Sequence, residues 1–311
     1  MKQIIITGAG GLVATELTCL LKQEEGYELY LISRNSQKLR ERYMDNAHIH
    51  CFSLDDFEMY VRLAKHHFDV LIHTAFSRSS EGKLLAESLD YQQRVLLLAK
   101  YIPVHTFINI SSQSIYGQDT PPFWTEETLP APNYPYALAK YAAELITNAA
   151  LMDTSINFTN VRLCSVCENA RFLNVFVQNA LQEKTIKVIG GNQKCSFIDV
   201  IDVASAIKTM IDKSKSIRFE YVYNVGTGAN QTIAELAQCV QDMAKVEYGC
   251  YTNIERESAD ISLEVGMDVS LFRTTFHWHP KYDYRGMIKG LFEYVKNPSG
   301  GGCPIAFRYV H

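Results

Sequence analysis

The chain has 311 residues, of which 47% are hydrophobic and 21% charged, and its formal net charge at pH 7 is −4. This length suits one large domain or one domain and a half, and the acidic balance argues against a nucleic-acid surface. No apolar run is long enough to cross a membrane, so we predict neither a nucleic-acid nor a membrane partner.

The N-terminus and the cysteines indicate the compartment. Residues 1–7 enter a strand pattern without the apolar core and small-residue cleavage site of a signal peptide. The eight cysteines are scattered without a disulfide-like framework. Cys164 and Cys167 form a lone CxxC pair with no second pair at zinc-site spacing, so we interpret both as buried strand residues. We expect a cytoplasmic protein without a metal site.

The first predicted element is a strand that runs into a glycine turn. Residues 4–6 are an apolar run typical of a strand buried on both faces, and a helical pattern continues to Leu21. Between them, Gly8 permits a tight turn, Gly11 lets backbone approach a pyrophosphate, and Ala14 allows close packing of helix on strand. The helix N-terminus offers free N–H groups to phosphate. Because both strand and helix are present, the turn predicts a dinucleotide site.

The second predicted strand, residues 28–32, ends in Ser33 and Arg34. A site that prefers NAD usually has an acidic residue here to hold the ribose 2′-hydroxyl, and this sequence has none. A hydroxyl and a guanidinium suit a 2′-phosphate better, because arginine can bind phosphate bidentately. The pattern favours NADP over NAD, and a solvated loop arginine is the competing interpretation.

Two more strands are predicted before residue 80. Residues 48–52 form the third strand, and Leu54 follows it where a dinucleotide site would place groups near the adenine. Residues 70–75 form the fourth, with Ala75 at the carboxyl end of the sheet, where ligands bind in open parallel sheets. We interpret His73 as a packed, hydrogen-bonded residue rather than a catalytic one.

The next segment contains a helix, a strand and a long loop. Residues 83–101 have the pattern of an amphipathic helix, and residues 107–111 that of a fifth strand. Ser112 lies at the carboxyl end of this strand, where its hydroxyl could bond a substrate oxygen. Residues 117–135 form a proline-rich loop that leads into Tyr136, and long loops in compact domains are usually functional.

Tyr136 and Lys140 lie near the start of the next predicted helix and, being four residues apart, on one face of it. A free tyrosine has a pKa of about 10. A neighbouring ammonium and the positive helix end would lower that pKa, which predicts a general acid/base. Alone, the pattern is explained better by an ordinary amphipathic helix. The elements that precede it in the chain favour the interpretation as a general acid/base.

Three motifs together resemble the extended short-chain dehydrogenase/reductase family: the glycine turn, Ser-Ser-x-x-Ile-Tyr-Gly at residues 111–117, and Tyr-x-x-x-Lys at residues 136–140. The closest resemblance is to its nucleotide-sugar epimerases, dehydratases and 4-ketoreductases. It covers almost the whole chain. The later matching segments are residues 160–163, 189–204, 223–228, 232–237 and 280–295.

The resemblance implies an α/β fold, a Rossmann-type doubly wound parallel sheet with a smaller C-terminal α/β substrate lobe. The cofactor domain would take residues 1–163 and 186–228, and the lobe residues 164–185 and 229–311. The glycine-rich run at residues 299–303 is interpreted as a flexible connector.

The resemblance also implies roles and a quaternary structure. Tyr136 would be the catalytic acid/base, Lys140 would lower its pKa and hold the nicotinamide ribose, and Ser112 would polarise the carbonyl. A homodimer would form through the helices near residues 83–101 and 137–152. The implied cofactor contacts are Gly8, Gly10, Gly11, Leu12, Val13, Ser33, Arg34, Leu54, Ala75, Tyr136 and Lys140.

The sequence departs from the family pattern on the substrate side. Dehydratases carry an Asp-Glu pair where this chain has Gln113 and Ser114, so we do not expect 4,6-dehydration. An arginine that grips the nucleotide diphosphate is replaced by Cys195, with Lys194 beside it. Where the family usually has Arg-Pro after the sixth strand, this chain has Arg162 followed by leucine. The cofactor half is therefore closer to the family than the substrate half.

These features predict an NAD(P)-dependent oxidoreductase or epimerase acting on a sugar hydroxyl or keto centre. The expected substrate is a nucleotide-linked sugar, and 4-ketoreduction is slightly favoured over 4-epimerisation because reductases exchange NADP. The alternative is a catalytically silent NAD(P)-binding sensor or scaffold. Such proteins typically lose the tyrosine or the lysine, whereas Tyr136 and Lys140 are both present.

Overall fold

The computed structural model describes residues 1–63 and 66–296, so the predicted connector at residues 299–303 lies outside the described residues. The strands are β1 (Lys2–Thr7), β2 (Tyr27–Ile32), β3 (Ile49–Phe52), β4 (Phe68–His73), β5 (Val104–Ser112), β6 (Asn157–Leu163), β7 (Ser165–Val166), β8 (Ile186–Ile189), β9 (Lys194–Cys195), β10 (Phe197–Ile198), β11 (Val222–Val225), β12 (Gln231–Thr232) and β13 (Ile254–Glu257).

The helices are α1 (Leu12–Leu21), α2 (Ser36–Tyr43), α3 (Leu54–Leu63), α4 (Gly82–Tyr101), α5 (Pro135–Leu151), α6 (Arg171–Leu181), α7 (Val200–Lys213), α8 (Ile233–Tyr248), α9 (Ser270–Phe276) and α10 (Tyr284–Lys296). Two short 3₁₀ turns occupy Gln113–Tyr116 and Cys167–Asn169. Within the described residues, no helix is both long and apolar enough to span a membrane.

A seven-stranded sheet organises the fold, with strand order β11-β6-β5-β4-β1-β2-β3. The central strand β4 is buried along its whole length, which explains the apolar run at its residues 70–72. In register, Ile4 of β1 lies opposite Leu29 of β2 on one side and Val70 of β4 on the other, both in parallel pairing. The predicted doubly wound α/β fold is confirmed.

The carboxyl ends of β1, β4 and β5 lie side by side, because β4 pairs with both of the other strands. The register sets Thr7 of β1 opposite His73 of β4, and His73 opposite Asn109 of β5. Loops that leave these three strands therefore start from one edge of the sheet, where open α/β sheets bind ligands.

The chain divides into two compact units. The first contains residues 1–117, 129–162 and 204–223, and its core includes Phe57, Phe68 and Phe107. The predicted domain boundaries stay a prediction.

Among the described residues, the second unit contains residues 118–128, 163–203 and 224–296. Apolar side chains from α6, α8 and α10 form its core, such as Phe176, Val240 and Leu291. Helix α8 begins with a capping box, in which Thr232 and Glu235 bond each other's backbone N–H.

Neither CxxC cysteine forms a disulfide, and both are buried, which confirms the buried part of their interpretation. Their assignment to strands is wrong, because Cys164 lies between β6 and β7 and Cys167 begins a 3₁₀ turn.

Candidate active site

The glycine turn between β1 and α1 fits closely against the end of β4. Gly8 has φ +70, and a Cβ at that position would lie 2.7 Å from both N and Cα of Ala75. The Gly11 amide donates to the Gly8 carbonyl at 2.8 Å and closes the turn. A side chain at residue 8 is thus excluded twice, by backbone conformation and by space.

The N-terminus of α1 carries backbone N–H groups that suit an anion. Gly11 is the N-cap residue and has no side chain to cap the helix. Leu12 and Val13 are the first two helical residues and are partly exposed, and the first intrahelical bond runs from the Thr15 amide to the Gly11 carbonyl. Together with the tight turn, this arrangement fits the diphosphate of a dinucleotide.

The predicted ribose-binding residues lie where β2 ends. A Cβ on Gly10 would sit 3.5 Å from the Ser33 hydroxyl oxygen, so this hydroxyl faces the glycine turn. Ser33 accepts a hydrogen bond from the Asn35 amide at 3.2 Å, and Arg34 is exposed. Leu54 begins α3 and is buried in the core. Contacts of these residues with a cofactor stay a prediction.

Helix α5 presents the tyrosine and the lysine. Pro135 occupies the first turn, where its missing N–H costs nothing, and Tyr134 is the N-cap residue. The Tyr136 side chain forms a hydrogen bond with Ser112. The Ser112 oxygen also accepts from the Ser114 amide at 3.2 Å, which fixes it at the start of the 3₁₀ turn. The structure thus brings Ser112 and Tyr136 into direct contact.

Burial dominates the acidity of Tyr136. Burial raises the pKa of Tyr136 to about 12, nearby Tyr134 adds to the rise, and the Ser112 hydrogen bond and the Arg78 charge oppose it. The expected lowering of this pKa by Lys140 is therefore wrong for this structure. The cost of a phenolate with little water around it outweighs the favourable interactions, and Tyr136 is protonated at neutral pH.

Lys140 is 5% exposed and lies deep beside the sheet. Its Nζ donates to the carbonyl of Ile110 in β5 at 2.8 Å and lies 4.1 Å from the centroid of the Phe76 ring. Burial lowers the pKa of Lys140 to about 7, with the Glu144 carboxylate acting in the opposite direction. The Lys140 amine thus gains or loses its proton near neutral pH.

A buried ion pair lies behind the lysine. Arg162 of β6 donates to Glu144 of α5 at 2.8 Å, and both side chains are almost fully buried. A second nitrogen of Arg162 donates to the Tyr116 hydroxyl at 2.9 Å. This network joins α5, β6 and the 3₁₀ turn that follows Ser112, so it fixes the backbone on which the candidate catalytic residues stand.

Sequence reasoning missed several of these residues. The position of Glu144, one helical turn after Lys140, could have indicated it. The roles of Phe76 and Arg78 had no such signal, because both lie in an irregular loop.

His73 is packed, as predicted. It is buried, and its Nδ1 lies 2.8 Å from the Thr7 hydroxyl oxygen. Burial, with a smaller contribution from Lys140, lowers its pKa to about 3. The imidazole is therefore neutral at all ordinary pH values.

In the second unit, Lys194 and Cys195 lie where the family has an arginine that binds the diphosphate. Lys194 forms an ion pair with Glu264 at 3.0 Å. Burial raises the pKa of the Cys195 thiol to about 11, so it carries no charge. The Lys194 charge is therefore balanced by Glu264, and Cys195 offers no positive charge to a diphosphate.

Comparison with known proteins gives a consistent result. The model of the NAD dependent epimerase/dehydratase family matches residues 4–226. A dTDP-glucose 4,6-dehydratase from Streptomyces niveus is 24% identical over 240 residues, which cover 74% of this chain and 68% of that protein. A GDP-6-deoxy-D-mannose reductase from Pseudomonas aeruginosa is 30% identical over 198 residues, covering 60% of this chain and 64% of the reductase, less than two thirds of its length.

A solved structure has the same fold. UDP-glucuronic acid 4-epimerase from Bacillus cereus, in complex with NAD, superposes with a TM-score of 0.79 at 20% identity, covering 96% of this chain and 98% of that one.

Proposed function

The chain belongs to the NAD dependent epimerase/dehydratase family, and on this premise we propose that it is an NAD(P)-dependent enzyme that interconverts a hydroxyl and a keto group on a nucleotide-linked sugar. The observation that carries this proposal is the contact between Ser112 and Tyr136, with Lys140 one helical turn away, beside a glycine turn that fits a dinucleotide diphosphate.

Each residue has a distinct role in the proposed reaction. The nicotinamide ring, when bound, donates or accepts a hydride. Tyr136 gives a proton to the sugar oxygen, or takes it away, through its hydroxyl. Ser112 bonds the same oxygen and orients it. Lys140 would donate a hydrogen bond to the ribose of the cofactor. Gly8, Gly10 and Gly11, with the amides of Leu12 and Val13, would hold the diphosphate.

The protonated Tyr136 hydroxyl is the form that donates a proton to a carbonyl oxygen. Its pKa of about 12 keeps the proton in place at neutral pH, and a carbonyl oxygen that receives hydride needs that proton. A 4-ketoreductase uses this step alone, whereas a 4-epimerase also needs the reverse. Because Ser33 and Arg34 favour NADP, which a reductase exchanges, we favour ketoreduction, with epimerisation as the alternative.

Elimination of water is not part of the proposal. Gln113 and Ser114 occupy the two positions at which dehydratases have carboxylates, and neither a carboxamide nor a serine hydroxyl can replace a carboxyl group as the acid or base of an elimination. The similarity to a dehydratase thus extends to the fold and the cofactor turn, without the acid and base of that reaction.

NADP is the proposed cofactor, with NAD as the alternative. The exposed guanidinium of Arg34 and the hydroxyl of Ser33 follow β2, with no carboxylate at either position. Fluorescence titration with NADPH and NADH tests both the site and the preference. Tighter binding of NADPH is expected. Preference for NADH would contradict the cofactor assignment, and absence of binding to either would contradict the function.

We also propose a homodimer formed through α4 and α5. Leu138 and Leu145 of α5 and Met152, its C-cap residue, recur every seven residues and are exposed, and this spacing sets them on one face. Leu97 and Tyr101 are exposed near the end of α4. These two helices already pack on each other within the first unit, and a partner would cover their outer apolar faces.

A further inference from the structure

Phe76 contacts both residues of the candidate acid/base pair. It follows Ala75, whose backbone closes the space beside Gly8. The Lys140 Nζ lies 4.1 Å from the centroid of the Phe76 ring. The Tyr136 ring meets the same ring edge-on, with centroids 6.2 Å apart at 81°. The loop after β4 therefore connects the cofactor turn to both catalytic candidates through one aromatic side chain.

The ammonium of Lys140 has few other sources of stabilisation. The carbonyl of Ile110 on β5 accepts one of its three N–H groups. Glu144 on its own helix attracts it, but Arg162 of β6 already binds that carboxylate. His73 on β4 is neutral and contributes no opposite charge. A buried ammonium in these surroundings loses much of its hydration without a carboxylate of its own.

The face of an aromatic ring compensates for part of that loss. An ammonium within about 6 Å of a ring centroid is attracted to the negative face, most strongly when it is desolvated. An aliphatic side chain of similar volume gives no such attraction. At residue 76, therefore, an aromatic residue and a leucine would fill similar space but leave Lys140 in different charge states.

We propose that Phe76 is a positioning residue of the active site, whose ring face holds the Lys140 ammonium charged and directed to the place where the cofactor ribose binds. The inference rests on the proposed function, because that function gives Lys140 the ribose as its partner. Phe76 itself neither transfers a proton nor touches the reacting carbon. It acts through Lys140, and its effect should depend on pH.

The test is the pH dependence of NADPH affinity, measured by fluorescence titration between pH 6 and 9. The wild type should lose affinity as Lys140 loses its proton, and Lys140→Met should remove that transition. In Phe76→Leu, the midpoint should move about one pH unit lower. Phe76→Tyr keeps the ring face and should restore the wild-type midpoint. Phe76→Met replaces the leucine variant if circular dichroism shows that the latter does not fold.

The outcomes separate this inference from the proposed function. A uniform loss of affinity in Phe76→Leu, with an unchanged midpoint, would show a packing role only and overturn the inference. A wild-type profile without a transition that depends on Lys140 would overturn it too. In both cases NADPH still binds and the proposed function stands. Failure of the wild type to bind either dinucleotide would instead refute the function.

Discussion

Lys140 combines deep burial with a charge that the proposed chemistry needs. Its pKa falls from 10.5 to about 7 because burial disfavours the ammonium. Below about pH 7, both the folded and the unfolded chain hold the proton, and the cost of burying the charge is fully present. Between about pH 7 and 10.5 the unfolded chain binds more protons than the folded one, so stability rises with pH.

This linkage gives a prediction for Lys140→Met in the cofactor-free protein. As pH rises from 7 to 9, the wild type should gain stability relative to the variant, at most about 1.4 kcal/mol per pH unit. Urea unfolding at pH 7, 8 and 9 measures the difference. Lys100→Met, at an exposed site, is the control and should parallel the wild type. Parallel profiles for Lys140→Met would contradict the burial of a charged amine.

Arg162 is the second residue whose surroundings predict a large effect of substitution on stability. Arg162→Met leaves the Glu144 carboxylate buried without its partner, and loss of one member of such a pair costs about 3–5 kcal/mol. Tyr116→Phe removes the hydrogen bond that the Tyr116 hydroxyl accepts from Arg162, keeps the ion pair of Arg162 with Glu144, and should cost about 1 kcal/mol. Denaturant unfolding of both variants measures whether Arg162→Met loses more stability than Tyr116→Phe. Equal and small effects would show that the pair contributes little to stability.

At the scale of elements, local patterns predicted the first half of the chain well. The strand, glycine turn and helix at residues 2–21 are specified by neighbours in sequence, as is the start of α5 at Pro135. The ends were less predictable: β4 runs from residue 68 to 73 rather than from 70 to 75. Strand ends depend on pairing with other strands, which a single sequence does not contain.

The electrostatics of the site could not be predicted, because they depend on contacts distant in sequence. Lys140 was expected to act on Tyr136, one turn away, but its ammonium bonds Ile110, thirty residues earlier. Lys194, beside the position at which the family has an arginine for the diphosphate, is paired with Glu264. In both cases the partner of the lysine was set by the tertiary fold.

The glycine turn allows a matched comparison of two substitutions. Gly8→Ala strains a residue at φ +70 and sets a Cβ 2.7 Å from the Ala75 backbone, whereas Gly249→Ala has a similar φ of +67 with nothing within 4 Å. Gly249→Ala should cost about 1 kcal/mol of stability and leave NADPH affinity unchanged. Gly8→Ala should cost more and weaken NADPH at least tenfold. Unchanged affinity in Gly8→Ala would exclude this turn as the dinucleotide site.

For the whole molecule, the outer face of α5 predicts the oligomeric state. Sedimentation velocity should give a dimer for the wild type and a monomer for Leu138→Glu/Leu145→Glu, because two charges on each copy would face an apolar partner surface. Val246→Glu, at an exposed position on α8, is the control and should remain a dimer. A wild-type monomer would refute the proposed interface, and a dimer that survives the double substitution would place it elsewhere.

Turnover that depends on Tyr136 is the central claim. The most direct measurement is oxidation of NADPH, followed by absorbance, with a panel of nucleotide-linked 4-ketosugars. Tyr136→Phe should lower the rate by about 10²–10⁴-fold and leave NADPH affinity nearly intact, because the hydroxyl serves the proton transfer and the ring stays in place. Wild-type rates in Tyr136→Phe, with a substrate that the wild type reduces, would contradict the account.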